Sequence, residues 1–252
     1  MPDITLYTLP TANNAKISSL LELLNISYEY RFLDVSKMEH KEPWFLKICP
    51  NGRIPAIIDH RRNNFAVWES GAIMLYLAEN YDTEGRYLPK DPKARSEVIQ
   101  WIFFVNTGLA LTLGQLSHFL NNAPEQVPYA IQRYSDEVTR LFKVLEDRLE
   151  GREYLVGNTL TIADINALPV VRTTVVVGFT LAPFPRLQAW TERVRADPQI
   201  LKSLRPPSGE PDMIEQLEQD ITKKEVIFGP SRKIIEQQFK QERILLAQYC
   251  NV

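Results

Sequence analysis

The chain has 252 residues, 44% hydrophobic and 24% charged, which is the make-up of an ordinary globular protein with room for one large or two ordinary domains. Its formal net charge of −2 argues against nucleic acid or an anionic membrane as the main partner, because both need a positive footprint. The two cysteines, Cys49 and Cys250, stand far apart without metal or redox spacing, which excludes a disulfide scaffold and points to a reducing, cytoplasmic setting.

After Met1-Pro2-Asp3, residues 4–8 read as a strand rich in β-branched and aromatic side chains, not as a basic patch leading into an apolar leader. The polar stretch 10–14 hands over to a helical pattern in which Ile17, Leu20, Leu21 and Leu24 share one face. Residues 28–34 look like a second strand, and strand–helix–strand implies a parallel pair with a right-handed crossover. A short helix is expected over 44–48, followed by a turn at Asn51-Gly52. Residues 54–59 and 65–68 make an antiparallel pair across the polar turn 61–64, and a helix opens at Glu69-Ser70 and runs through Ile73, Leu75 and Leu77. The order βαβ then ββα predicts a thioredoxin-like domain over 1–82.

Residues 81–92 carry Gly85, Pro89 and Pro92 among charges and read as a linker. From 92 to 204 only helical periods occur, most clearly Tyr134, Val138, Leu141, Leu145 and Leu149, so the second domain is all-α. Thr161-Ile162-Ala163-Asp164 ahead of an apolar run resembles a capping box, with Asp in place of the usual Glu. Residues 205–252 open on the breaker Arg205-Pro206-Pro207-Ser208-Gly209 and close on an amphipathic pattern of Ile235, Phe239, Leu246 and Tyr249. A docked C-terminal helical extension is expected there. No uninterrupted apolar run of membrane-spanning length is visible.

Three short segments carry chemistry, because a thioredoxin-like fold brings them to one edge. Thr11-Ala12-Asn13-Asn14-Ala15-Lys16 straddles a helix start, where unpaired N–H groups and the positive dipole end favour an anion. A thiolate is such an anion, and lowering a thiol by one to two pKa units needs about 1.4–2.7 kcal/mol. A single donor to a charged acceptor supplies roughly 1.5–3 kcal/mol, so the Thr11 hydroxyl or the Asn13 amide suffices in magnitude. Asn and Thr are also favoured helix caps for purely structural reasons. In the second segment, Asn51 to Ala56, a cis Ile54–Pro55 bond would turn the Ile54 backbone toward that helix start, where it could pair with a peptide; an ordinary strand-start proline is the alternative. The third segment is Glu69-Ser70-Gly71-Ala72, where Ser70 and the free N–H groups behind it suit a carboxylate and Glu69 suits an ammonium, the two halves of an α-amino-acid head group; taken alone, Ser70 reads as an N-cap.

Taken jointly, these segments resemble the glutathione transferase superfamily, and within it the branch around the fungal nitrogen-catabolite regulator and the bacterial Nu-class disulfide-bond oxidoreductases. The likeness covers residues 4–204. It rests on Thr11-Ala12-Asn13-Asn14-Ala15-Lys16, where the branch has Thr-Pro-Asn-Gly-x-Lys, and on Trp44 to Ile48, Pro50 to Ile57, Glu69 to Ile73, Leu75 to Glu79, Arg133-Tyr134 and the Thr161–Asp164 box. The resemblance implies glutathione as co-substrate and no metal. Thr11 and Asn13 would contact the glutathione sulfur, and the Ile54 backbone beside a cis Pro55 would pair with the cysteinyl unit. Glu69 and Ser70 would hold the γ-glutamyl end, and Arg133 would approach from the helical domain. Arg53 falls within the binding segment. His40 stands where relatives carry a Gln that reaches the glycine carboxylate, which makes that end pH-sensitive.

Tyr7, Cys49, His60 and His118 are expected to be structural. Cys49 has no partner cysteine and lies away from the helix start, which excludes a Cys-x-x-Cys mechanism. The leading expectation is a glutathione transferase that activates the thiol for attack on a small electrophile. The alternatives are a glutathione-dependent disulfide-bond oxidoreductase, in which glutathione itself is the nucleophile, and a non-catalytic binding or regulatory module. A homodimer is implied by the resemblance alone.

Overall fold

The computed structural model describes residues 2–205 and 213–220. The amphipathic pattern at Ile235 to Tyr249 and the second cysteine lie outside the described residues. The first domain runs β1 (Ile4–Thr8), α1 (Ala12–Leu23), β2 (Tyr28–Phe32), α2 (Pro43–Leu46), β3 (Ala56–Asp59), β4 (Phe65–Trp68) and α3 (Ser70–Tyr81). Its sheet has the order β2-β1-β3-β4, with β1 parallel to β2 and antiparallel to β3, and β3 antiparallel to β4. This is the thioredoxin-like arrangement, with strands shorter than expected: β2 stops at Phe32 and β3 starts at Ala56. The short helix likewise starts one residue earlier and ends at Leu46, with Pro43 in its first turn.

The helical domain comprises α4 (Pro92–Phe103), α5 (Leu111–Ser117), α6 (Pro128–Arg148), α7 (Ile162–Arg172), α8 (Pro185–Arg195) and α9 (Pro198–Leu204), and α10 (Met213–Gln219) belongs to the extension. A π-helical turn, Phe104–Ala110, joins α4 to α5, and a second, His118–Asn122, ends α5. Together they make a helical run from Pro92 to Asn122 that, by length and composition, could cross a bilayer, a feature the sequence reading did not register. Here its apolar face, Val98, Ile102, Val105, Leu109, Leu113 and Leu116, is buried in the protein core.

One core cluster spans both domains. Ile17, Leu20 and Leu21 of α1 are fully buried, as their spacing predicts. α1 is also clamped to α9 by polar bonds: Ser18 Oγ donates to the Ser203 carbonyl at 3.2 Å, and the Ser19 and Ser203 hydroxyls lie 2.6 Å apart. The stretch read as a linker is docked. Tyr87 and Leu88 are buried, Asp82 Oδ2 accepts from both of their amides at 2.7 and 2.9 Å, and the Ile162 amide donates to the Tyr87 carbonyl at 2.9 Å. At the start of α7, Thr161 and Asp164 form the full capping box.

Candidate functional site

Strand register explains why distant segments meet. Tyr7 of β1 pairs with Ala56 of β3, and Ala56 pairs with Trp68 of β4. The chain leaving β1 toward α1, the chain entering β3 after Pro55 and the chain leaving β4 at Glu69 therefore emerge at one end of the sheet. Thr8 of β1 pairs with Phe32 of β2, so the connection carrying His40 starts from the same end.

At the first corner, Thr11 is the N-cap of α1 and its Oγ1 accepts from the Asn14 amide at 3.3 Å. Capping and ligand binding do not compete there. A hydroxyl that accepts through one lone pair keeps its O–H free to donate, and Thr11 is exposed. No acidic residue sits in the first turn of α1, so its positive end is unquenched. Asn13 follows, half-buried, with Ser70 Oγ at 3.5 Å from its Oδ1, at the limit of a hydrogen bond. The thioredoxin-domain helix starts α1 and α3 thus face each other through Asn13 and Ser70.

At the second corner, Glu69 rather than Ser70 is the N-cap of α3, a correction to the simplest reading of that segment. Ser70 is instead the first helical residue and is buried, with its amide among the first-turn N–H groups. Glu69 has φ 69° and ψ 119°, a backbone conformation that costs a non-glycine residue on the order of 1–3 kcal/mol and clusters at ligand clamps. Its side chain makes no capping bond and is exposed.

The third corner holds His40, Arg53, Ile54 and Pro55. The Ile54–Pro55 peptide is cis. Pro55 is buried, and Ile54 packs on the small cluster of Leu33, Phe45, Cys49 and Ala56. His40 sits in a tight turn, Glu39–Lys41, with its Nδ1 buried and without a hydrogen-bond partner. Burial, then the neighbouring Lys41 and Arg53 cations, push its imidazole below the ordinary value. Lys41 and Arg53 make this a positive corner suited to a carboxylate, which His40 joins once protonated. Lys41, which the sequence did not single out, pins this corner by donating to the Asn51 and Gly52 carbonyls at 3.2 and 2.9 Å. Gly52 is required here: its φ is +59°, and a Cβ would lie 2.8 Å from the His40 carbonyl oxygen.

Between the two domains lies a cavity of about 370 Å³, with Thr11 and Asn13 among its lining residues. Leu113 and Gly114 of α5, Val170 of α7, and Val176 and Val177 of the 3-10 turn that follows α7 supply its largely apolar wall. None of these wall residues is legible as a site from sequence, because each belongs to an ordinary helical period. Arg133 is exposed on α6, where it adds to the larger effect of the Arg140 hydrogen bond in lowering the Glu137 carboxyl, and is not among the cavity's lining residues.

The residues expected to be structural are placed as follows. The Tyr7 ring packs between Trp44 and Phe45 at 6.0 and 5.9 Å, and burial pushes its hydroxyl pKa up. Cys49 is buried in the small cluster around Phe45. His60 bridges Thr5 Oγ1 and Asn64 Oδ1 at 2.8 and 2.7 Å, and His118 packs edge-on against Phe119. Among the described residues no group of His, Cys, Asp and Glu is arranged to hold a metal ion.

Comparison with known proteins gives the family. The family model of the glutathione S-transferase N-terminal domain matches residues 2–79, and that of the C-terminal domain matches 113–198. The disulfide-bond oxidoreductase YfcG of Escherichia coli is 40% identical over 205 residues, covering 80% of this chain and 94% of that protein. Glutathione S-transferase 1 of Schizosaccharomyces pombe is 38% identical over 201 residues, covering 74% and 88%. Among solved structures, Ure2p in complex with glutathione superposes with a TM-score of 0.78 at 33% identity, covering 80% of this chain and 98% of that one. With both domain models matched and YfcG, 40% identical, covered over 94% of its length, the chain belongs to the glutathione S-transferase family.

Proposed function

We propose that the chain binds glutathione across the three corners and presents its thiolate to a small electrophile seated in the apolar cavity. The observation that carries this reading is the cavity itself: Thr11 and Asn13, at a helix start with no acid in its first turn, line it together with a largely apolar wall. In this reading the sulfur lies at Thr11 and Asn13, the γ-glutamyl ammonium and carboxylate at Glu69 and Ser70, and the glycine carboxylate at His40 and Arg53. The Ile54 backbone would pair with the cysteinyl unit, and Arg133 would reach over from α6. Donors preorganised for the anion need no rearrangement when the thiol ionises. The thiolate attacks the electrophilic carbon, a C–S bond forms, and the leaving group departs with the electron pair.

A second reading shares the site. The same thiolate can attack a disulfide, releasing one thiolate, and a second glutathione thiolate then resolves the mixed disulfide. The 40% identity to a disulfide-bond oxidoreductase favours it, and with no cysteine at the start of α1 the nucleophile in this reading is glutathione itself. We further propose a cytoplasmic homodimer. The exposed Phe65 and Trp68 on edge strand β4 support a covered face there.

Bound glutathione is expected to titrate about one to two units below the free thiol value of about 8.5, read by thiolate absorbance. Turnover of a chloronitroaromatic beside a mixed disulfide then separates the two reactions. Binding with no turnover of either, on a broad panel, would leave only a receptacle. The His40 corner gives a separate prediction, using S-methylglutathione so that no thiol titrates. A carboxylate favours imidazolium, so the complex binds more protons than the free protein and affinity rises as pH falls through the lowered His40 range. Calorimetry between pH 7.5 and 5.5 should show a gain of about three- to ten-fold that His40→Gln flattens. Equal slopes in the two proteins would remove His40 from the site.

A further inference from the structure

A buried lysine lies next to the first turn of α1. Lys16 of α1 is fully buried, whereas a lysine ordinarily brings its ammonium to water. Its Nζ donates to Asn106 Oδ1 at 2.8 Å, a neutral acceptor. Burial pushes the ammonium down to about 7, and the charged group opposing that shift is Glu69, at the start of α3. An apolar side chain of the same length would join the two domains with no charge to bury.

Placement suggests what the charge is for. Lys16 stands one turn beyond Asn13 on the same face of α1, and helical side chains lean toward the N-terminus, so its stem runs back toward the end where Thr11 and Asn13 sit. Its partner Asn106 comes from the π-helical turn of the other domain. The Asn106 Nδ2 lies so close to α3 that a Cβ on Gly71 would be 2.7 Å from it. Asn106 therefore fixes the ammonium behind the facing first turns of α1 and α3, the two turns assigned to the sulfur and to the γ-glutamyl end.

We propose that Lys16, held by Asn106, is a positioning residue whose buried positive charge favours the anionic sulfur of the bound thiol. The inference rests on the glutathione site proposed above and deepens it. In a poorly solvated interior a charge acts over a longer range than at the surface, so direct contact with the sulfur is not needed. The thiol proton leaves to solvent, or to Lys16 Nζ in the molecules whose amine is neutral near pH 7. The arriving thiolate and γ-glutamyl carboxylate favour the ammonium in turn.

The test is the absorbance titration of glutathione bound to the full chain, in the wild type, Lys16→Met, Lys16→Arg and Asn106→Asp. Lys16→Met removes the charge while keeping the length, and Asn106→Asp neutralises it with an adjacent carboxylate. Both are expected to raise the bound thiol pKa by about one unit, roughly a ten-fold loss of thiolate at constant pH, and Lys16→Arg should restore it. Asn106→Asp carries the test if Lys16→Met does not fold. A residue that only fastens the domains would lower Tm and leave the thiol titration where it was. A depressed wild-type value with unchanged values in both charge-altering variants overturns this inference alone. A wild-type value equal to that of free glutathione overturns the site reading and this inference with it.

Discussion

Asn13→Ala is expected to lower the glutathione-dependent rate by about 10- to 100-fold, since one donor to a charged acceptor supplies about 1.5–3 kcal/mol and each 1.36 kcal/mol is a factor of ten. The first turn of α1 offers backbone N–H groups at Ala12 and Asn13, while the Asn14 amide is already taken by Thr11 Oγ1. With Asn13 Oδ1 turned toward Ser70, its Nδ2 is the side-chain donor left for an anion in the cavity. Asn13→Asp separates this role from helix stability. An acid in the first turn stabilises a helix, yet here it would set a carboxylate against the sulfur anion. Both variants should therefore lose activity, Asn13→Asp with no loss of Tm. An unchanged rate in Asn13→Ala would transfer the role to the Thr11 hydroxyl.

The largest expected stability effect lies at Asp164. This carboxylate is fully buried, and its Oδ1 accepts from the Leu155 amide and Trp190 Nε1, both at 2.9 Å. Its Oδ2 accepts from the Thr161 amide and hydroxyl, both at 3.0 Å. Burial pushes its pKa up, and the four donors hold that shift back. One side chain thus joins the start of α7, the segment before it and α8. Asp164→Ala leaves these donors buried and unsatisfied, at a cost of about 3–5 kcal/mol and a Tm lower by about 6–20 °C. Thermal unfolding followed by circular dichroism reads this directly. A Tm within about 2 °C of wild type, less than 1 kcal/mol for a domain of this size, would mean that water satisfies these donors.

Leu113 and Val177 illustrate what a residue pattern conceals. Each reads as one more apolar position in a helical period, yet both line one cavity because α5 and the turn after α7 pack against each other. Lys16 is the converse. In the sequence it is one residue of the helix-start motif, and only the tertiary structure buries it and sets its Nζ against Asn106 of the other domain. Residues 81–92 carry the composition of a loose tether, but Asp82, Tyr87 and Leu88 find partners in both domains.

What the sequence by itself determined is local. The apolar spacing of Ile17, Leu20 and Leu21 makes α1 and selects its buried face, Thr161 with Asp164 starts α7, and the order of strands and helices implies a thioredoxin-like domain ahead of a helical one. These follow from interactions between residues a few positions apart, which a linear pattern records. Only the tertiary structure decided the cavity wall, the cis Ile54–Pro55 peptide, the left-handed backbone at Glu69 and the charge sealed beneath α1. Each of these depends on packing between segments far apart in the chain. Burial and the polar partners available there are properties of the assembled core, and no single segment carries them.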